Sequence, residues 1–310
     1  MKNRLFARDT LIHCYQRTAD RGVLFYSYSD HIVHFTQYCT VARKYNIRVL
    51  SLCQMPDHIH DSVQACRKTD LEKFKRETNS GFARQWNEWR NVRGPVFESP
   101  FGSALKYGTK QIRTNLIYVG NNPVERKIVM AAEKYRWNYL AYAVSDHPFS
   151  EKLVIRRARW PLQRAVKEVK ALYNSNLPVN YSLLKRLFAL LDNRERMQLT
   201  DYIISLYNVI DNKAAIKYFG RYEDMLAAMH VTTGSEYDLH ETHVGKSDVC
   251  YAQMTEIPIK QNIVRDINEL LALTMDDKFE LFIFLQGKTG AQPEQIAKFL
   301  HVPLNIKRCQ

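Results

Sequence analysis

Met55-Pro56-Asp57-His58-Ile59-His60, read together with residues 47–54 before it, is the stretch on which the fold turns. Residues 47–54 are apolar and β-rich, Pro56-Asp57 is a turn pair, and residues 58–65 return as the next strand. Side chains alternate across an extended chain, so His58 and His60 project from one face and Ile59 from the other. Two imidazoles on one face, with an apolar anchor behind them, can present a metal ion at a sheet surface. A bare His-x-His also fits a hairpin with two exposed polar residues, and residues further along the chain separate the two readings.

Working outward, residues 11–17 read as a first strand and residues 23–26 as a short extended piece. Asp30 is placed to cap a helix to about Tyr45, and Asp70 a long, mostly polar helix to about Val92, stopped by Gly94-Pro95. Residues 96–106 read as extended, and Thr109 is placed to cap a helix ending at Asn121-Asn122-Pro123. The order strand, helix, strand, strand, helix, strand, helix predicts an α+β fold with helices packed on an antiparallel sheet. A boundary is expected near Asp146-His147-Pro148, dividing residues 1–147 from a mostly α-helical part at 148–310.

A chain of 310 residues is long enough for two cores. No apolar run approaches the ~18 residues of a membrane span, and Met1 to Asp9 has no apolar core of a secretory signal. Six cysteines without a C-x-x-C pair suggest reduced thiols and a cytoplasmic location. Of the net charge of +13, residues 1–150 carry 23 Lys and Arg against 13 Asp and Glu, or +10. That excess favours polyanion partners, because phosphates release counterions when a basic surface neutralises them. Lys152 to Lys170 holds seven basic residues against Glu168 alone, and reads as a solvated helix face or a phosphate-contacting one.

In the helix from Thr109, Ile112, Leu116 and Val119 form the apolar stripe. Tyr118 lies off it, on a face with Asn115 and Asn122, and is expected to be presented rather than buried. Two histidines on a strand and a Tyr-x-x-x-Asn-Pro helix end suggest one chemistry. A divalent ion held by His58, His60 and the Asn122 carbonyl could bind a phosphodiester, and Tyr118 could attack the phosphorus. A phenol, ordinary pKa ~10, leaves more readily than an alkoxide, so such a join is reversible without ATP.

At these residues the chain resembles the HUH single-tyrosine transposases, in the branch of REP-associated tyrosine transposases (transposase 17-like proteins). The resemblance rests on Met55-Pro56-Asp57-His58-Ile59-His60, on Tyr118-Val119-Gly120-Asn121-Asn122-Pro123-Val124 and on Tyr135-Arg136-Trp137, and covers about residues 8–145. It implies a ferredoxin/RRM-like catalytic domain, Mg or Mn as the metal, and single-stranded DNA with a hairpin as substrate. It also implies DNA transposition through a 5′-phosphotyrosine, with His58, His60 and Asn122 as ligands and Tyr118 as nucleophile. Homodimers with the tyrosine helix in trans occur in the family. Asp57 stands where the family has asparagine, and Asp61-Ser62 where it has apolar residues. Asp61 reads as a further ligand, an outer partner of the metal, or a solvent-facing residue of an edge strand. Gly120 costs a helix interior roughly 1 kcal/mol against alanine. The rival to the enzyme is a catalytically silent, domesticated relative that binds hairpin DNA or RNA as a regulator.

Other residues invite a role. Lys106, Lys110 and Arg113 precede Tyr118 and are candidate DNA-backbone contacts. Trp86, Trp89, Phe97, Phe101 and Tyr107 are candidates for stacking on bases or for core packing. His240-Glu241-Thr242-His243 lacks the i, i+4 spacing of a zincin helix and reads as a loop. Residues 279–308 resemble the start of a helix-turn-helix, with Ala297, Leu300 and Val302 at packing positions, His301 where glycine is usual, and duplex DNA as the expected contact.

Overall fold

A computed structural model describes residues 5–232 and 247–303. The sheet-forming half runs β1 (Leu11–Arg17), α1 (Tyr28–Lys44), β2 (Arg48–Gln54), β3 (His58–Gln64), α2 (Lys68–Arg90), β4 (Gly102–Lys106) and α3 (Gly108–Glu125). The four strands are antiparallel and ordered β2-β3-β1-β4, so β3 and β1 are central. The β2–β3 hairpin closes with Met55 N–H donating to the His58 carbonyl.

The helix starts differ in detail from the sequence reading. Ser27, not Asp30, caps α1, and Asp30 closes the capping box from the first turn. Arg67 begins α2 without a side-chain cap and pairs instead with Asp70. Tyr107 precedes α3, which runs through Pro123 to Glu125. An acid one turn inside a helix and an acid at its cap look alike in sequence. Residues 23–26 form no strand; they are fastened by Val23 N–H to the Lys298 carbonyl and by Leu24 and Phe25 N–H to that of Pro56. Of residues 96–106, only the last five are strand.

Two packed layers flank the sheet. On one side Ile12, Cys14, Leu52, Ile59 and Val63 join the core with Val33 and Tyr38 of α1 and Phe74 and Phe82 of α2. On the other, Leu11 and Leu50 pack with Ile112 and Leu116 of α3. The helical half comprises α4 (Trp160–Asn174), α5 (Tyr181–Ala189), α6 (Asn193–Tyr207), α7 (Asn212–Lys217), α8 (Tyr222–Val231), α9 (Cys250–Lys260), α10 (Ile267–Ala272), α11 (Met275–Thr289) and α12 (Pro293–Leu300). Helix α6 lies on α1 and α4 lies on α6, while Met225 and Met229 of α8 join the α3 layer. The halves share buried polar ties: Tyr181 Oη and Arg90 Nη2 both donate to Asp30 Oδ1, at 2.8 and 2.7 Å. Among the described residues, no helix is long and apolar enough to cross a membrane.

Candidate active site

Strand alternation puts His58, His60 and Ser62 of β3 on the face that α3 covers. One step of two residues along a strand is ~6.6 Å, and one helical turn of three or four residues is ~5.4 Å. The two ladders therefore stay nearly in step. Ser62 Oγ donates to Asn115 Oδ1 at 2.8 Å, the His60 ring meets Tyr118 edge-on at 5.3 Å between centroids, and His58 Nε2 lies 3.3 Å from Asn122 Oδ1. His58 and His60 stand 4.9 Å apart, centroid to centroid. The face carrying Asn115, Tyr118 and Asn122 is thus the face laid against the histidines.

Burial differs from the expectation of a presented tyrosine. His58, His60, Tyr118 and Asn122 are 2%, 1%, 3% and 2% exposed. Helix α3 is covered on both sides, by the sheet and by α8. Gly120 lets α8 approach: a Cβ there would stand 2.6 Å from Met229 Cε. Asn121 Nδ2 donates to the Met229 carbonyl at 2.8 Å, and Asn138 Nδ2 to the Gly120 carbonyl at 2.8 Å. The helix glycine is therefore a point of close packing.

Both candidate imidazoles are oriented through Nδ1. Asp57 Oδ1 is 2.5 Å from His58 Nδ1, and His13 Nε2 on β1 is 3.0 Å from His60 Nδ1. Asp57 also accepts from Lys298 Nζ of α12 at 2.6 Å. Burial by itself would raise the Asp57 pKa, but His58, Lys298 and Arg126 outweigh it and hold the carboxyl well below the usual carboxylate range. His58 Nδ1–H then donates to Asp57, which turns the Nε2 lone pair toward the Asn122 oxygen. Two acceptors 3.3 Å apart share either a proton or a cation. Two ligands at right angles on an ion at ~2.1–2.3 Å stand roughly 3 Å apart, so His58 and Asn122 fit a divalent ion. Among the described residues, no group of three or more His, Cys, Asp or Glu is arranged to hold a metal. A metal here depends on the amide oxygen of Asn122.

Asp61 is neither a ligand nor an edge residue. β3 is central, and Asp61 points to the opposite side of the sheet, where Lys75 Nζ donates to its two oxygens at 2.5 and 2.6 Å and Tyr38 Oη at 2.7 Å. Cys53, cross-strand from His60, is a buried thiol whose pKa is pushed up by burial. Of the three bases suggested before Tyr118, Lys106 is buried, whereas Lys110 and Arg113 are exposed, Arg113 lying over the Phe219 ring at 5.1 Å. Trp86 is buried and donates to the Leu24 carbonyl, and Trp89 stacks on Tyr181 at 5.4 Å; Tyr107 is exposed. Tyr135-Arg136-Trp137 braces the hairpin: Tyr135 Oη donates to the Gln54 carbonyl, Gln54 N–H to that of Trp137, and Arg136 pairs with Asp201 of α6.

Sequence reasoning missed His13, and with it Tyr15, whose ring is 6.4 Å from His60. Gly102 of β4 leaves room for that ring, since a Cβ there would stand 1.9 Å from Tyr15 Cζ. The signal was the i, i+2 pair His13 and Tyr15 on one face of a strand. His301 has φ +54, the left-handed conformation for which glycine is usual, and its ring hydrogen-bonds Asp20 and the Val23 carbonyl. His240-Glu241-Thr242-His243 and residues 304–308 lie outside the described residues.

No family model matches the chain, and no curated protein matches it. A solved structure described as "Structure of the REP associates tyrosine transposase bound to a REP hairpin" is similar over 46% of this chain and 84% of its own, at 14% identity and a TM-score of 0.40. A superposition that loose fixes neither fold nor chemistry, so the weight falls on the residues themselves.

Proposed function

We propose that the chain is a metal-dependent transposase-type enzyme that cleaves and rejoins single-stranded DNA through a 5′-phosphotyrosine. The observation that carries this reading is the convergence of one helix face (Tyr118 and Asn122) on one strand face (His58 and His60). The β1-α1-β2-β3-α2-β4 order on a β2-β3-β1-β4 sheet supports a ferredoxin/RRM-like domain over residues 1–147, with a helical domain after it.

In this reading His58, His60 and Asn122 would hold Mg or Mn, which when bound would draw charge from the phosphodiester oxygens. Tyr118 Oη forms a bond to phosphorus, the bond from phosphorus to the 3′ oxygen breaks, and the phenolic proton is balanced by the one on the released 3′-OH. Rejoining reverses each change. Asp57 and His13 act through the histidines by fixing their ring orientation. Because the four side chains are buried between α3 and the sheet, the DNA strand would reach them only when α3 shifts relative to the sheet. The hairpin-bearing strand, a cytoplasmic location and action as a homodimer belong to the same proposal.

The burial of Tyr118 favours one second reading, a silent relative that binds hairpin DNA or RNA. Incubation with labelled hairpin-bearing single strands and Mn or Mg separates the two. The enzyme forms a covalent adduct that disappears in Tyr118→Phe. Binding without an adduct, across varied strands and both metals, rejects the enzyme in favour of the binder.

A further inference from the structure

The stretch from Lys152 to Lys170 carries a surface that the Tyr118 chemistry leaves unexplained. It forms a short 3-10 turn, Ile155–Arg157, followed by α4. Helix α4 buries Leu162, Ala165, Val166 and Val169 against its neighbours. At 100° per residue, Trp160, Arg164, Lys167 and Lys170 fall on the opposite, solvent-facing side. Ten residues of helix give a stripe ~15 Å long, with Arg156 and Arg157 at its start.

The charges on this stripe differ from an ordinary solvated face. Arg164 is paired with Glu168, and Arg159 with Glu195. Arg156, Arg157, Lys167 and Lys170 have no acidic partner within salt-bridge distance among the described residues, and all four are exposed. Trp160 stands among them 66% exposed, with the Arg164 guanidinium 5.4 Å from its ring centroid. Of the four tryptophans, Trp86 and Trp137 are buried and Trp89 is stacked on Tyr181. Leaving the largest apolar side chain in water among unneutralised cations brings no folding benefit. It does supply both parts of a single-strand platform, cations for phosphates and a ring for a base.

We infer that the outer face of α4 binds single-stranded nucleic acid, with Arg156, Arg157, Lys167 and Lys170 on phosphates and a base stacked on Trp160. A membrane surface fits less well, because the apolar face of α4 is spent on the core and a lone tryptophan is left to insert. Helix α4 packs on α6, which packs on α1, and none of the three supplies a residue to the histidine–tyrosine site, so the surface would hold a strand independently of it.

The test is titration of the full-length protein with a fluorescein-labelled oligo(dT) lacking any hairpin, in EDTA, following anisotropy and tryptophan emission together. Binding should quench Trp160 emission. Trp160→Ala should remove the quench and weaken binding about 5- to 160-fold, in line with ~1–3 kcal/mol per stacked base. Arg156, Arg157, Lys167 and Lys170 changed together to alanine should weaken binding at least as much and lower the salt slope by up to roughly 3, at ~0.7 per phosphate contact. Equal affinity of both variants and wild type overturns the inference, as does equal competition by duplex, or quenching by phosphatidylserine vesicles with none by oligo(dT). Adduct formation by the wild-type protein with the hairpin strand and Mn is scored separately, so failure of the adduct chemistry and failure of this surface are distinguishable.

Discussion

His13 and His60 meet across neighbouring strands, Nε2 to Nδ1 at 3.0 Å, with their rings 5.1 Å apart and inclined by 30°. A ligating histidine needs its second nitrogen held, because the proton there fixes which nitrogen offers a lone pair. With Nδ1–H donated to His13, the His60 lone pair sits on Nε2. His13→Ala should therefore weaken Mn binding by about 10- to 100-fold, measured by calorimetry on the full chain. His13→Gln, which keeps an acceptor, should recover part of the loss. Unchanged Mn affinity in His13→Ala would exclude the positioning role.

Asp57 joins this site to the C-terminal part of the chain, accepting from Lys298 Nζ at 2.6 Å while it holds His58. Lys298→Ala should cost about 1.5–3 kcal/mol, the worth of a hydrogen bond to a charged group. It should also loosen α12 from the 23–26 segment, to which it is tied through the Lys298 carbonyl. The check is a urea midpoint together with amide exchange: protection should fall at Val23 and in α12 more than in α4. Uniform protection would show that the contact is incidental to closure.

Much of this arrangement was legible in the sequence, and the misses have physical reasons. The hairpin could be read because alternation fixes which side of β3 each residue takes. The Asn115–Tyr118–Asn122 face could be read because three- and four-residue steps share a helix side. His13 could not, since it joins the site only once β1 lies beside β3, and sheet order is not written in either strand. Nor could the burial of Tyr118, whose ring is covered by His13 and His60 only once β1 and β3 lie side by side against α3. Asp61 looked like a surface or ligand carboxylate because its partner, Lys75, sits on a helix whose packing against the sheet no local pattern reveals.

That pairing has a separate consequence. Asp61 and Lys75 are both buried, with Tyr38 as the third partner. Asp61→Asn leaves a buried ammonium without its counter-charge, and such losses cost about 3–5 kcal/mol. The double change Asp61→Asn with Lys75→Met should recover most of that, because no uncompensated charge remains. Mn affinity should stay at the wild-type value in the folded single variant, since Asp61 faces away from His58 and His60. A clear drop in affinity without a drop in urea midpoint would instead make Asp61 part of the metal site.

Two further histidines make stability depend on acidity. His31 is sandwiched between Phe25 at 4.4 Å and Trp137 at 4.1 Å, and His34 accepts from Gln54 Nε2 at 2.6 Å. Burial lowers both pKa values, that of His34 from 6.5 to about 3, with Lys75 adding to the effect there. The His34 ring is then neutral in the folded chain at pH 5, while unfolded histidines bind protons below ~6.5. The unfolded state therefore gains protons first as pH falls. Stability from this source is whole above about pH 6.5, declines by about 1.4 kcal/mol per pH unit per histidine below it, and for His34 stops declining near pH 3. In His34→Gln, the slope of unfolding free energy against pH between 6 and 4 should drop by one histidine's share. Carboxylates such as Asp20, held at about 2 despite burial by its contact with His301, titrate alike in both proteins and cancel in the difference. Equal slopes for the two proteins would mean that His34 takes up its proton in the folded state, which its contacts with Phe25, Phe82 and Gln54 argue against.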